Sequence, residues 1–381
     1  MTTRAWTAIV VIVIATTACT NDPASDVDPA SRTGTSDVIE TFAGTTPGGY
    51  GGDGGLAKDA KLGWLTGLTI DVSGNLYISD GSANVIRKIN PDNVISTIAG
   101  KFIGFNVANQ QPYAGDGGPA TAASLNIPFG AAIDPSGNIY ICDAGNNVLR
   151  KVSSSGVIST IAGKFMEQGH IGDGGPASDA LIWNPQGITT DSKGNVYFAD
   201  SQNHTIRKIS TTGVITTIAG TPGQAGYSGD GGPATAAKLS TPQGVAVDKN
   251  DNIYFSDNSS VIRLVSAGRI STVAGTGVAG FSGDGGKATE AQLQSPKGIA
   301  FDIDGSLLVA DAGNNRIRSI APETAIISTI AGDGTYAYKG DGGPADEASI
   351  ANPYGLAVDA AGNIYIADTD NGVIRVIKRE N

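Results

Sequence analysis

The chain has 381 residues, 54 of them glycine (about twice the usual share), with a net charge of −11 and a pI near 4.6. Lysine and arginine come singly or in pairs, so no basic cluster offsets that charge to hold nucleic-acid phosphates or anionic lipid headgroups. Two cysteines, Cys19 and Cys142, are too few for a disulfide framework.

Residues 1–18 read as a signal peptide. Arg4 supplies the positive start, and "AIVVIVIA" (Ala8–Ala15) is an apolar core too short to span a bilayer. Thr16 and Ala18 are the small residues a signal peptidase needs. The "TTAC" ending at Cys19 resembles the lipobox of bacterial lipoproteins, with Thr16 where that family prefers leucine. The resemblance implies cleavage after Ala18 and Cys19 as the acylated first residue. Residues 19–37 are rich in Pro, Ser and Asp, cannot bury enough surface to fold, and are expected to be a disordered tether.

Residues 38–381 say nearly one thing six times. Gly-Asp-Gly-Gly recurs with its aspartate at Asp53, Asp116, Asp173, Asp230, Asp284 and Asp341, a period of 54 to 63 residues. In the fourth copy, "GVAVD" (Gly244–Asp248) predicts a buried strand, "KNDN" a tight turn, and "IYFSD" (Ile253–Asp257) a second strand. "VIRLV" (Val261–Val265) and "RISTVAG" (Arg269–Gly275) predict a third and a fourth. Four short antiparallel strands joined by tight turns make the blade of a β-propeller. The only helical hint is "PATAAKL".

The ends predict how the ring closes. The chain finishes on a third strand, "GVIRVIKREN", without a sixth "ISTIAG", and its folded part begins with "VIETFAG" (Val38–Gly44). The N-terminal strand should complete the last blade, giving an all-β, six-bladed propeller of four-stranded antiparallel blades.

The pattern "P-x-G-[IVL]-[AT]-[VIF]-D … G-N-[ILV]-Y-[IF]-x-D … N-x-[IV]-[IL]-R-K" resembles the NHL-repeat propellers over about residues 38–378. Asn203-His204-Thr205 come closest to the tripeptide that names the family. The resemblance implies the fold and leaves function open, because such propellers serve as enzymes, RNA binders, receptor domains and scaffolds.

Within this frame most repeated residues have a structural reading. Asp71, Asp134, Asp191, Asp248, Asp302 and Asp359 precede the tight turns and are expected to cap them. Asp80, Asp143, Asp200, Asp257, Asp311 and Asp368 stand six or seven residues before Arg87, Arg150, Arg207, Arg263, Arg318 and Arg375, which suggests a bidentate pair across each hairpin. Each Gly-Asp-Gly-Gly aspartate is expected to cap a short helical turn, with "A-x-x-A-x-[LI]" facing inward. Tyr50, Tyr113, His170, Tyr227, Phe281 and Tyr338 stand three residues earlier and read as packing beneath the loop, ahead of a ligand-stacking ring. Cys142 takes a small-residue slot and reads as buried filler.

His170 and His204 are the only histidines, too few for the three-histidine zinc site that the resemblance to amidating lyases of the wider NHL group would imply. No cofactor and no metal site are expected. Strand alternation puts the fourth-to-first and second-to-third loops on one face, and with them the candidate ligand-binding residues Asn146, Asn147, Asn203, His204, Asn314, Asn315, Tyr113 and Tyr227, with Phe102–Tyr113 as the longest loop. The sequence favours an exported, lipid-anchored, noncatalytic monomer that binds a protein, peptide or glycan of the cell envelope, touching membrane only through its anchor and no nucleic acid. The alternative is a metal-dependent hydrolase or lyase of the gluconolactonase-like or amidating-lyase-like propeller type.

Overall fold

A computed structural model describes residues 37–104 and 113–379. The N-terminal segment carrying the signal peptide, Cys19 and nearly all of the tether therefore lies outside the described residues, as does most of the Phe102–Tyr113 loop.

Six antiparallel sheets follow one another in the chain. The fourth is representative: Val245–Val247, Ile253–Asp257, Val261–Ser266 and Arg269–Ala274 pair in sequence order. The helical hint becomes a single 3-10 turn, Ala234–Ala236. The last blade orders Val38–Ala43, Val373–Lys378, Ile364–Asp368 and Pro353–Val358, so the N-terminal strand supplies its fourth strand, as the unequal ends predict, and the two-residue strand Gly343–Pro344 pairs along its outside. Val38 lies opposite Lys378 and Ala43 opposite Ile374.

Apolar packing is concentrated between neighbouring blades. At the closure, Ala43, Ala357, Ala367 and Ile374 of the last blade meet Leu62, Leu65, Ile78 and Ile95 of the first. Ala57, Ala60 and Leu62 are fully buried there, so "A-x-x-A-x-[LI]" faces inward as expected.

Glycine sets how tightly the ring closes. The third residue of P-x-G (or its equivalent) lies on the innermost strand of five blades and directly before it in the fourth (Gly244), and a Cβ there would meet the neighbouring blade's backbone. At Gly187 it would sit 2.2 Å from the Gln243 carbonyl oxygen, and at Gly298 2.2 Å from that of Tyr354. No side chain fits at those distances, so the inner strands converge on a narrow axial channel.

Candidate functional site

The Gly-Asp-Gly-Gly segments hold the outer edges of the blades. Gly174 N–H donates to Ile215 O at 2.8 Å, Ile215 N–H donates back to Gly175 O at 3.1 Å, and Thr217 N–H donates to the Asp173 carboxylate at 2.7 Å. The segment thus covers an edge strand whose N–H and C=O groups would otherwise template aggregation. Asp173 also pairs with Arg207 at 2.6 Å, and the same pair recurs as Asp53–Arg87, Asp116–Arg150, Asp230–Arg263, Asp284–Arg318 and Asp341–Arg375.

This corrects two expectations. The 3-10 turns have no side-chain cap, because the aspartate belongs to a buried arginine. The arginines make no bidentate hairpin pair either: Arg207 approaches Asp200 only by Nη1, at 3.4 Å, and that nitrogen also donates to the Leu181 carbonyl, while Nη2 serves Asp173 and the Ile171 carbonyl. Asp173 and Arg207 lie 34 residues apart, a spacing that recurs in five of the six pairs and is 33 in the sixth, but no local motif joins them.

The aromatic residues pack on those guanidiniums. Tyr50, Tyr113, Tyr227, Phe281 and Tyr338 lie 4.8–5.2 Å from the facing arginine carbon. The Tyr113 hydroxyl bonds Thr160 and its ring stacks on Phe165 at 4.8 Å, while the Tyr227 hydroxyl reaches Thr272 at 2.9 Å. His170 stands exposed at this position in the third blade.

The six turn aspartates behave as expected in five blades. Asp191, for example, accepts the Lys193 and Asn195 N–H groups, the Asn195 side-chain amide and the Tyr197 hydroxyl. Asp302 departs from this: it accepts the adjacent Ile303 N–H and pairs with Arg379.

The asparagines proposed for ligand binding are committed to the ring. Asn203 is 2% exposed, and its amide donates to the Asp200 carboxylate and the Gly169 carbonyl. Asn314 does the same with Asp311 and Gly280, and the buried Asn146 donates to Asp143. Asn147, His204 and Asn315 reach across to the next blade, where Asn147 Oδ1, His204 Nδ1 and Asn315 Oδ1 accept the N–H groups of Asn184, Thr241 and Asn352. Cys142 is fully buried, and burial pushes its thiol up, which fits filler.

What these residues hold is the entry to each innermost strand. Asp80, Asp143, Asp200, Asp257, Asp311 and Asp368 accept the N–H groups of Gly63, Asn126, Trp183, Ser240, Gln294 and Ala351, in each blade three residues before the position written x in P-x-G. That position is Thr66, Phe129, Gln186, Gln243, Lys297 and Tyr354. All six line one well of about 80 Å³ on the axis, together with the conserved-register glycines Gly67, Gly130, Gly187, Gly244, Gly298 and Gly355.

The well has two halves. Phe129 and Tyr354 form an aromatic corner, and Trp64, outside the well's lining, stands edge-on to them at 5.4 Å and 5.9 Å. Opposite are Gln186, Gln243 and Lys297. The Lys297 ammonium donates to Gln243 Oε1 at 3.4 Å and lies 5.2 Å from the Tyr354 ring centre. Burial holds Lys297 below the usual lysine range. Gln186 is 8% exposed, and its Oε1 is buried without a hydrogen-bond partner. The well's lining contains no carboxylate and no histidine, and among the described residues no group of three or more His, Cys, Asp or Glu could hold a metal.

The aspartates predict how stability should vary with pH. Burial pushes Asp80, Asp143, Asp200 and Asp368 up to about 6. Burial also tends to raise Asp71, Asp134 and Asp191, but bonds from Asn75, Asn138 and Asn195 outweigh it and hold all three below the usual value. Groups raised on folding take up protons more readily when folded, so stability rises as pH falls through about 6 towards 5. Groups lowered on folding contribute stability that is lost only as pH drops below about 4. Calorimetry at constant ionic strength should give a higher Tm near pH 5 than near pH 7, then a fall below about pH 4. A steady decline from 7 to 5 would contradict this balance.

These features define an NHL-type β-propeller. The model of the Teneurin NHL domain matches residues 106–168, 164–227, 219–280 and 278–339, and the chain belongs to that family. Teneurin-1 of Gallus gallus is 30% identical over 362 residues; the match covers 85% of this chain and only 13% of Teneurin-1, so the chain spans a small part of such relatives. Among solved structures, an auxiliary nutrient binding protein from Bacteroides thetaiotaomicron superposes with a TM-score of 0.64 at 17% identity, over 90% of this chain and 76% of that one. A gluconolactonase from Xanthomonas campestris gives 0.52 at 12% identity, over 83% and 86%. At these identities the two likenesses speak to the fold alone.

Proposed function

We propose that the chain is an exported, noncatalytic binding propeller that engages a protein, peptide or glycan of the cell envelope through the mouth of its central channel. One observation carries this reading. The repeats keep their scaffold residues nearly constant, yet the axial position holds Thr66, Phe129, Gln186, Gln243, Lys297 and Tyr354, so sixfold symmetry breaks where all six blades meet. An aromatic corner facing amides is the composition of recognition sites that orient a ligand with few polar groups. The hydrolase or lyase alternative has no acidic or imidazole side chain in the channel lining to rest on. Export with an anchor at Cys19 rests on residues 1–19, and a mature protein whose mass retains Met1 would remove that part.

A glycan and peptide array screened with the mature protein tests the mouth. Phe129→Ala and Tyr354→Ala should each weaken the best binder about tenfold or more, as truncation of a central aromatic anchor does, without lowering Tm beyond the wild-type range. Undiminished binding by both variants would place recognition elsewhere.

A further inference from the structure

The mouth holds two polar groups whose needs the fold leaves unmet. Lys297 is the only charged residue lining the well. Its ammonium finds a neutral amide at 3.4 Å and an aromatic face at 5.2 Å, and it forms none of the ion pairs among the described residues. A partly buried ammonium normally has a carboxylate for company, and this chain, with 36 acidic residues, had many to offer. Across the well, Gln186 Oε1 is buried with no donor. A buried acceptor left empty is costly, so a ligand that brings an N–H there is favoured over one that does not.

We infer that the well captures the C-terminal carboxylate of a peptide, with the carboxylate at Lys297, a terminal N–H at Gln186 Oε1, and the last side chain against Phe129 and Tyr354. The inference rests on the proposed binding role of the mouth and specifies its ligand. Shape supports it: a narrow well of about 80 Å³, open on one side, takes a chain end and leaves the rest of the peptide outside. Charge supports it too. A polyuronate would bring many negative charges to a chain of net charge −11, whereas a chain end brings one. Asp370, which acts electrostatically on Tyr354 and accepts the Tyr336 hydroxyl at 3.1 Å, adds a negative charge near the mouth that favours basic residues upstream in the peptide. Capture of a terminal carboxylate by fixed donors is an established mode of peptide recognition.

The test uses the mature protein, a hexapeptide array synthesised with free and with amidated C-termini, and an oligogalacturonide beside its methyl ester. Free-acid peptides should bind, amidation should weaken them tenfold or more, and Lys297→Gln should lose a similar factor while Lys297→Arg retains most of it. Gln186→Leu should weaken the same peptides several-fold. Tm of each variant, within the wild-type range, shows that the ring is intact. Equal binding of free and amidated peptides, no peptide binding at all, or oligogalacturonide binding in place of peptides would each overturn the inference. A neutral ligand lost in Tyr354→Ala but kept in Lys297→Gln would overturn it while leaving the mouth as the binding site. A ligand kept by both variants would overturn the mouth as well.

Discussion

Replacing Arg207 with alanine is expected to destabilise the protein by about 3–5 kcal/mol, the cost of leaving a buried charge without its partner. Arg207 is almost fully buried and serves Asp200, Asp173 and two carbonyls at once. Its loss strands Asp200, which is fully buried, and releases Asp173 from the outer edge of the blade. Arg207→Lys should recover only part, because an ammonium cannot divide itself among four acceptors as the fork does. Lys193→Ala is the control. Its pair with Asp251 is exposed, so little or no change is expected. Chemical denaturation measures all three, and equal midpoints for Arg207→Ala and Lys193→Ala would show that the arginines are incidental to stability.

Deleting residues up to Gly44 should cost more still, upwards of about 5 kcal/mol, which is comparable with the whole stability of many domains. The deletion removes the fourth strand of the last blade and the buried Ile39 and Ala43, and opens the edge of Val373–Lys378. It also strips the packing between the last and first blades, since Ala43 meets the first blade's core. Ile39→Asp gives a milder form of the same test, by placing a charge in the core that the same strand shares with the fifth blade. A deleted protein that melts cooperatively at the full-length temperature would contradict closure by the N-terminal strand.

The blades, their order and their closure were legible because period-2 apolar runs and turn residues are local signals. The unpaired "VIETFAG" at one end and the absent "ISTIAG" at the other carried the closure by themselves. Longer-range chemistry was not legible. Nothing near Asp173 points to an arginine 34 residues on, so the aspartate reads as a cap when it is one half of an ion pair. Asn147, His204 and Asn315 look like loop amides on a recognition face, and the fold turns their acceptors to the next blade. The axial residues were in plain view as the x of P-x-G, but a variable position within a repeat resembles surface drift until the ring closes. Only six inner strands meeting on one axis, with glycine beside each variable residue, make those six side chains neighbours.

Side-chain oxidation footprinting of the protein with and without a bound array ligand tests the mouth most directly. Binding there should protect Phe129 and Tyr354 together, while Tyr50, Phe281 and Tyr338 on the outer rim and Val72 and Ile303 in the opposite-face turns react as before. Protection confined to the rim or to the opposite turns, with the two mouth aromatics unchanged, would contradict the account.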